Sequence, residues 1–287
     1  MNKLNKMKRL VKYNLIDYFN IRSFIITLCI LLLTALVIMN KVSVYEVDFK
    51  TDVNCWDYIF RVITSPFFVN WALIPMVLFI TIKSLKEKSN RYALIRCGNS
   101  NQFMTSKFIA NFIILILLLV CFFAGIFIIS LFQSHFQAGW SDSIKNEKSL
   151  EIATKYLYVS NFIGSFTPVQ ALMIVFMEFL LAGTFLVFFR DVLYYITRNY
   201  NIALLSLAMY LAYNFMYFGN LPYISTANMA IIWYHRFSSG SEVKTLVGVN
   251  YEATFIVWES MITTLIAISI LIFINSKITR TLDAEII

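Results

Sequence analysis

The stretch Ile109–Phe132, IANFIILILLLVCFFAGIFIISLF, carries no formal charge, and Asn111 and Ser130 are its only strongly polar side chains. At 1.5 Å per residue, a helix of that length is about 36 Å long, enough to cross a hydrocarbon core roughly 30 Å thick. A helix on the surface of a soluble protein would show a polar stripe every three or four residues. This one shows none. Five further apolar stretches accompany it, at about 24–39, 66–82 (or from Ile59), 167–189, 202–219 and 255–274. The expectation is an all-α integral membrane protein with six transmembrane helices, residues 1–287 forming one domain without internal repeats or flexible linkers.

Composition points the same way. Hydrophobic residues make up 59% and charged residues 14%, against roughly 45–50% and 25% in a soluble domain. Cytoplasmic loops retain an excess of Lys and Arg, and 16 of the 24 such residues fall in the segments that are inside if both termini are cytoplasmic. That placement accounts for most of the net charge of +8. The basic charge therefore reads as topology and contact with anionic lipid, and does not imply nucleic acid. Cys29 and Cys121 fall in spans, Cys97 in an inner loop and Cys55 outside, so no outer pair of cysteines exists for a disulfide and no metal-binding spacing is present.

The connecting segments differ in character. In residues 1–22, Leu4, Met7, Val11, Leu15 and Tyr18 recur at steps of three and four between lysines and asparagines. This predicts an amphipathic helix at the membrane interface, the alternative being a basic leader that sets topology. The apolar run after it starts too far in, and lacks the small-residue site, for a cleaved signal peptide, so a retained first span is expected. The first outer loop, Lys41–Ser65, holds Trp56, Tyr58 and Phe60, aromatic residues of interfacial type. The second, Gln133–Phe166, is polar in its middle. The third, 220–254, contains the apolar stretch Met229–Phe237, too short to cross and suited to dipping into the membrane and returning.

The inner segment 83–108, KSLKEKSNRYALIRCGNSNQFMTSKF, is too long and too patterned for a turn: Tyr92, Leu94, Ile95, Phe103 and Met104 supply apolar anchors among six cations. It predicts one or two short helices at the cytoplasmic surface, placed to pass force to the two spans they join. The chain has no glycine-rich phosphate loop, no H-E-x-x-H and no G-x-S-x-G, so neither an ATPase nor a familiar hydrolase is indicated. Its two histidines, His135 and His235, both fall in outer loops.

With those residues in view, the chain resembles the type-2 permeases of ABC transporters, mainly exporters. The architecture is similar throughout, and the sequence similarity is concentrated in Glu87–Lys107. Glu87-Lys88 resembles the family's acidic-basic pair, Tyr92–Ile95 its apolar turn, Cys97-Gly98-Asn99-Ser100 its break and Lys107 its closing lysine. Asn90-Arg91 replaces the usual small residues, the break has no proline, and Ser106 stands where the family has glycine. The resemblance implies a loop docked on a separate ATP-binding subunit that holds ATP and Mg, with Glu87, Arg91, Tyr92, Arg96, Asn99 and Lys107 as the docking residues. It also implies pairing with a second permease chain and no cofactor in the chain itself. The cargo class that suits the many Phe and Met residues is amphipathic or hydrophobic, such as a small peptide, toxin or antibiotic.

Glu178, halfway along the fourth span, is costly to expose to lipid and should face protein or a watery cavity. With Asn111 and Asn214 it forms a candidate substrate-path or interface set; the structural alternative is a carboxyl hydrogen-bonded to Asn111 or Asn214. Pro75 could kink the second span, and Gly183 could permit close helix packing. Two other functions fit the same spans: a non-transporting immunity or sensor protein that captures a peptide, and a membrane enzyme using Glu178 with an outer histidine.

Overall fold

The computed structural model describes residues 3–49, 53–85, 100–141, 166–216, 235–236, 242–244, 250–252 and 255–286. The chain is predominantly helical: α1 (Lys3–Tyr18), α2 (Ile21–Phe49), α3 (Cys55–Ile63), α4 (Pro66–Phe68), α5 (Ile74–Ile80), α6 (Ser100–Gln133), α7 (Pro168–Thr197), α8 (Tyr200–Met216) and α9 (Val257–Ile286). Three of these carry stretches long and apolar enough to cross a membrane, at Ile21–Asn40, Asn101–Gln133 and Pro168–Thr197. Shorter apolar helices lie at Val69–Ile80, Tyr200–Tyr210 and Met261–Asn275.

Helix α7 packs against α9, α8, α6 and α5, while α6 also packs against α1, α2 and α3. Between them lies a core of Leu115, Leu118, Phe122, Ile126, Val175, Phe179 and Leu186. The outer surface is equally apolar: Leu33 and Val37 on α2, Val120 and Ile128 on α6, and Ile266 and Phe273 on α9 are exposed. Water would penalise such a surface, and acyl chains would not. Two glycines lie at close contacts between helices. A Cβ on Gly183 of α7 would lie 2.9 Å from Leu115 Cδ2 of α6, and one on Gly125 of α6 would lie 2.7 Å from Leu32 Cδ2 of α2. The close packing expected at Gly183 is therefore present.

The second apolar stretch is a broken helix. After α4, Val69–Leu73 forms a π-helical turn that closes with the Ile74 N–H on the Val69 carbonyl, and α5 then continues to a 3-10 turn at Ile82–Leu85. Pro75 explains the irregularity expected there. Its ring excludes the carbonyl four residues back and it has no N–H to give, so the preceding turn widens.

Several boundaries and one environment differ from the sequence reading. The first outer loop is not an interfacial loop: α2 continues to Phe49, and α3 is buried at all nine positions, Trp56, Tyr58 and Phe60 included. A reciprocal cap starts α3, the Asn54 side chain accepting from the Trp56 N–H and the Asp57 carboxylate from the Asn54 N–H. The segment 135–141 then straps across it. The Cys55 N–H donates to the His135 carbonyl, Trp56 Nε1 donates to the Gln137 carbonyl at 2.7 Å, and the Trp140 ring stacks obliquely on Phe60. Aromatic residues at interfacial spacing here fill a pocket between helices.

At the opposite end, α6 begins at Ser100 and α7 runs on to Thr197, beyond the apolar limits of 109 and 189. Helix α1 packs on that projecting part of α6: Leu10 joins Phe103 and Met104, and Asn14 donates to Ser106 Oγ at 2.8 Å. The amphipathic helix predicted for residues 1–22 forms, but its inner face rests on protein. The connection before α9 is not helical where it is described. His235–Arg236 pairs in parallel with Phe255–Ile256, and Glu242–Lys244 pairs antiparallel with Asn250–Glu252. The last helix starts at Val257, two residues later than the expected span, and most of Met229–Phe237 lies outside the described residues.

Candidate functional site

At the end where α5, α6 and α7 converge with α1, a group of charged and polar side chains is buried together. Arg190 on α7 is fully enclosed, and its guanidinium reaches its neighbour Asp191 and the end of the α5 segment at residues 78–84. Nη1 donates to Thr81 Oγ1 at 2.8 Å and to the Leu78 carbonyl at 3.3 Å; Nη2 donates to Ser84 Oγ at 3.1 Å and to Asp191 Oδ1 at 2.7 Å; Nε donates to the same carboxylate oxygen at 3.1 Å. All five N–H groups of the planar fork therefore have acceptors, the condition under which a buried guanidinium is tolerable.

The second cation is Lys107 on α6, 2% exposed. Its ammonium lies 3.2 Å from Asp191 Oδ2 and donates to the Tyr195 hydroxyl at 3.1 Å. Tyr195 follows Asp191 by one helical turn, so both face Lys107 from the same side of α7. Next to Lys107, Ser106 holds Asn14 of α1. Four residues on from Asn14, Tyr18 is also buried. Burial pushes its phenol well above the ordinary value, with the nearby Lys107 charge pulling the other way, so it stays protonated.

Local sequence explains each placement. Thr81 and Ser84 sit where α5 gives way to a 3-10 turn, and each returns its own hydroxyl proton to a carbonyl three or four residues back. Arg190-Asp191 follows the long apolar run of α7 that ends at Phe189. One carboxylate thus joins two cations that belong to different helices. The arrangement fixes the two roots of the segment between α5 and α6, Ser84 on one side and Ser106-Lys107 on the other, to α7 and to α1.

The residues singled out from the sequence are distributed as follows. Glu87, Arg91, Tyr92, Arg96 and Asn99 lie outside the described residues. Lys107 is not on an open face: its ammonium is enclosed between α6 and α7. Glu178 is buried at 1% exposure on α7, facing protein as its cost in lipid requires. Of the two bonds in the structural alternative, the one to Asn111 is not made: the side-chain nitrogen and oxygen of Asn111 are both buried without a hydrogen-bond partner. Asn214 lies on α8, in a part whose side chains fall outside the described residues.

Sequence reading missed Arg190, Asp191, Thr81, Ser84, Ser106 and Asn14. The available signal was depth: all but Asn14, which lies ten residues before the first apolar stretch, sit within a few residues of the same end of such a stretch. Among the described residues, no three His, Cys, Asp or Glu side chains come together to hold a metal ion. Comparison of the chain with protein-family models, with curated proteins and with solved structures finds no match in any of the three.

Proposed function

We propose that this chain is the permease subunit of an ABC exporter of the type-2 kind. In this reading it spans the plasma membrane six times with both termini in the cytoplasm and pairs with a second permease chain. A separate ATP-binding subunit drives it, and an amphipathic or hydrophobic cargo moves outward.

The supporting observation is the buried charge group at the roots of the 83–108 segment. A partner that pushes the loop can move spans only if the loop's ends are rigidly joined to them. Arg190 and Asp191 hold both roots on α7, and Asn14 ties the second root to α1. Force delivered between residues 86 and 99 is therefore passed to three apolar helices and the amino-terminal helix together. The inward-facing state must then bind cargo better than the outward-facing one, since a ligand shifts an equilibrium only by differential affinity.

The experiment is ATP-dependent uptake of a fluorescent hydrophobic peptide into inside-out vesicles. Uptake is expected only when the chain is co-expressed with an ATP-binding cassette subunit. Peptide binding that ignores ATP would instead identify a sensor or immunity protein, and turnover by the purified chain alone would identify an enzyme.

A further inference from the structure

Among the described residues, protein covers one face of α1. Leu10, Asn14 and Tyr18, at steps of four, point inward: Leu10 packs with Phe103 and Met104, Asn14 donates to Ser106 Oγ at 2.8 Å, and Tyr18 is buried. Lys8, Lys12 and Ile16, also at steps of four, lie on the other side and are exposed, Ile16 by 70%, with Tyr13 beside them at 46%. A tight turn fixes where that outer face sits. The Phe24 N–H donates to the Asn20 carbonyl, the Arg22 N–H donates to Asn20 Oδ1 at 3.2 Å, and the Phe19 and Phe24 rings pack 5.4 Å apart. The apolar run of α2 begins at Ile21, directly after this turn. Lys8 and Lys12 therefore stand within about 15 Å, measured along α1, of its end at that run.

The outer face mixes two chemistries. Water solvates its ammonium groups but penalises Ile16 and the Tyr13 ring, and a free phosphate or an acidic soluble partner meets only the charges. The boundary layer of an anionic bilayer meets both, with phosphates for the lysines and the upper acyl chains for the apolar side chains. Charge fits as well: residues 1–22 carry six Lys and Arg against the single carboxylate of Asp17. We propose that the outer face of α1 binds anionic phospholipid headgroups, and that this contact holds α1 against both roots of the 83–108 segment. Helix α1 packs on the 3-10 turn Ile82–Leu85 as well as on α6, so whatever binds α1 in its packed position stabilises both roots by linkage. The inference rests on the apolar spans and does not depend on the transport reading.

The test titrates the full chain in neutral detergent with mixed micelles carrying phosphatidylglycerol or, at the same mole fraction, phosphatidylcholine. Hydrogen exchange at residues 3–18 and 100–107 is read together with the melting temperature. Phosphatidylglycerol is expected to slow exchange in both segments and to raise the melting temperature by about 3 °C or more. Phosphatidylcholine should do much less, and about 1 M salt should cancel most of the difference. Lys8→Gln combined with Lys12→Gln keeps good helix formers at exposed positions, so it should melt like the parent without lipid yet need about tenfold more phosphatidylglycerol, or beyond, for half the effect. Ile16→Ser should weaken the lipid response too, and Asn14→Ala should keep the protection of 3–18 while losing that of 100–107. Equal responses to the two lipids, or a double variant that responds like the parent, would overturn the proposal. So would the same protection from inorganic phosphate or polyglutamate, since the face would then serve a free anion or an acidic protein. Protection confined to 3–18 in the parent would overturn the link to the loop roots.

Discussion

Replacing Asp191 with Asn preserves size and shape but removes the one charge that joins Arg190 to Lys107. In the parent, Asp191 Oδ1 accepts two guanidinium bonds and Oδ2 faces the ammonium, with both cations 2% exposed or less. The variant leaves those two cations enclosed without the carboxylate and points an amide N–H donor at another donor on at least one side. Removing one partner of a buried ion pair costs about 3–5 kcal/mol, a large share of a typical total of 5–15 kcal/mol. That corresponds to a fall in melting temperature on the order of 10 °C. Lys107→Met is the informative control. It leaves Arg190 and Asp191 as a neutral pair with every guanidinium donor still engaged, so its loss should be clearly smaller. Heating detergent-solubilised protein and following the surviving monodisperse fraction by size exclusion measures both. The reasoning fails if Asp191→Asn melts like the parent, or if Lys107→Met is the more damaging of the two.

Other outcomes follow from the packing. Gly183→Ala should be nearly neutral, because its Cβ meets only the flexible end of Leu115, whereas Gly183→Val should force α6 and α7 apart at a cost of about 1–3 kcal/mol, read as a lower melting temperature. Asn54→Ala removes the cap of α3 and the bond from the Asn54 amide to the Gly139 carbonyl, so a loss of about 1–2 kcal/mol and faster proteolysis near residue 140 are expected. Cys55 is fully buried, and burial raises its thiol above the ordinary value, so the thiolate fraction falls below that of a free thiol at any given pH. Raising the pH to about 8.5 should therefore not bring maleimide labelling at Cys55 until the protein is unfolded.

The long helices were legible because their signal is local. An uninterrupted apolar run such as 109–132 admits few structures, and α7 starts at Pro168, where the stretch expected from about 167 begins; the reciprocal cap between Thr167 and Gln170 there is a finding of the structure. Pro75 and Gly183 were also legible, each acting through backbone geometry on its immediate surroundings. What escaped was decided by partners distant in sequence. Trp56, Tyr58 and Phe60 look interfacial by type, and only the strap at 135–141, some eighty residues on, makes them core. Arg190-Asp191 counted as inner-face charge on the strength of its position after an apolar run. Its burial depends on Ser84 and Lys107, which belong to two other segments. Hydropathy measures how apolar a stretch is and carries no record of which polar groups at its ends will meet.

The central claim, that the segment between α5 and α6 receives force from a separate ATPase, is tested most directly by co-purifying the chain with an ATP-binding cassette subunit in detergent, where anionic lipid no longer holds the loop. Tyr92→Ala combined with Arg96→Glu removes an aromatic anchor and reverses a charge, a change worth a few kcal/mol, on the order of 100-fold in affinity, at the centre of an interface. The account predicts that the parent chain retains the ATPase and that its ATP hydrolysis rises with cargo, while the double variant stays folded and loses both. Full retention of the ATPase and of cargo-stimulated hydrolysis by the double variant would contradict it.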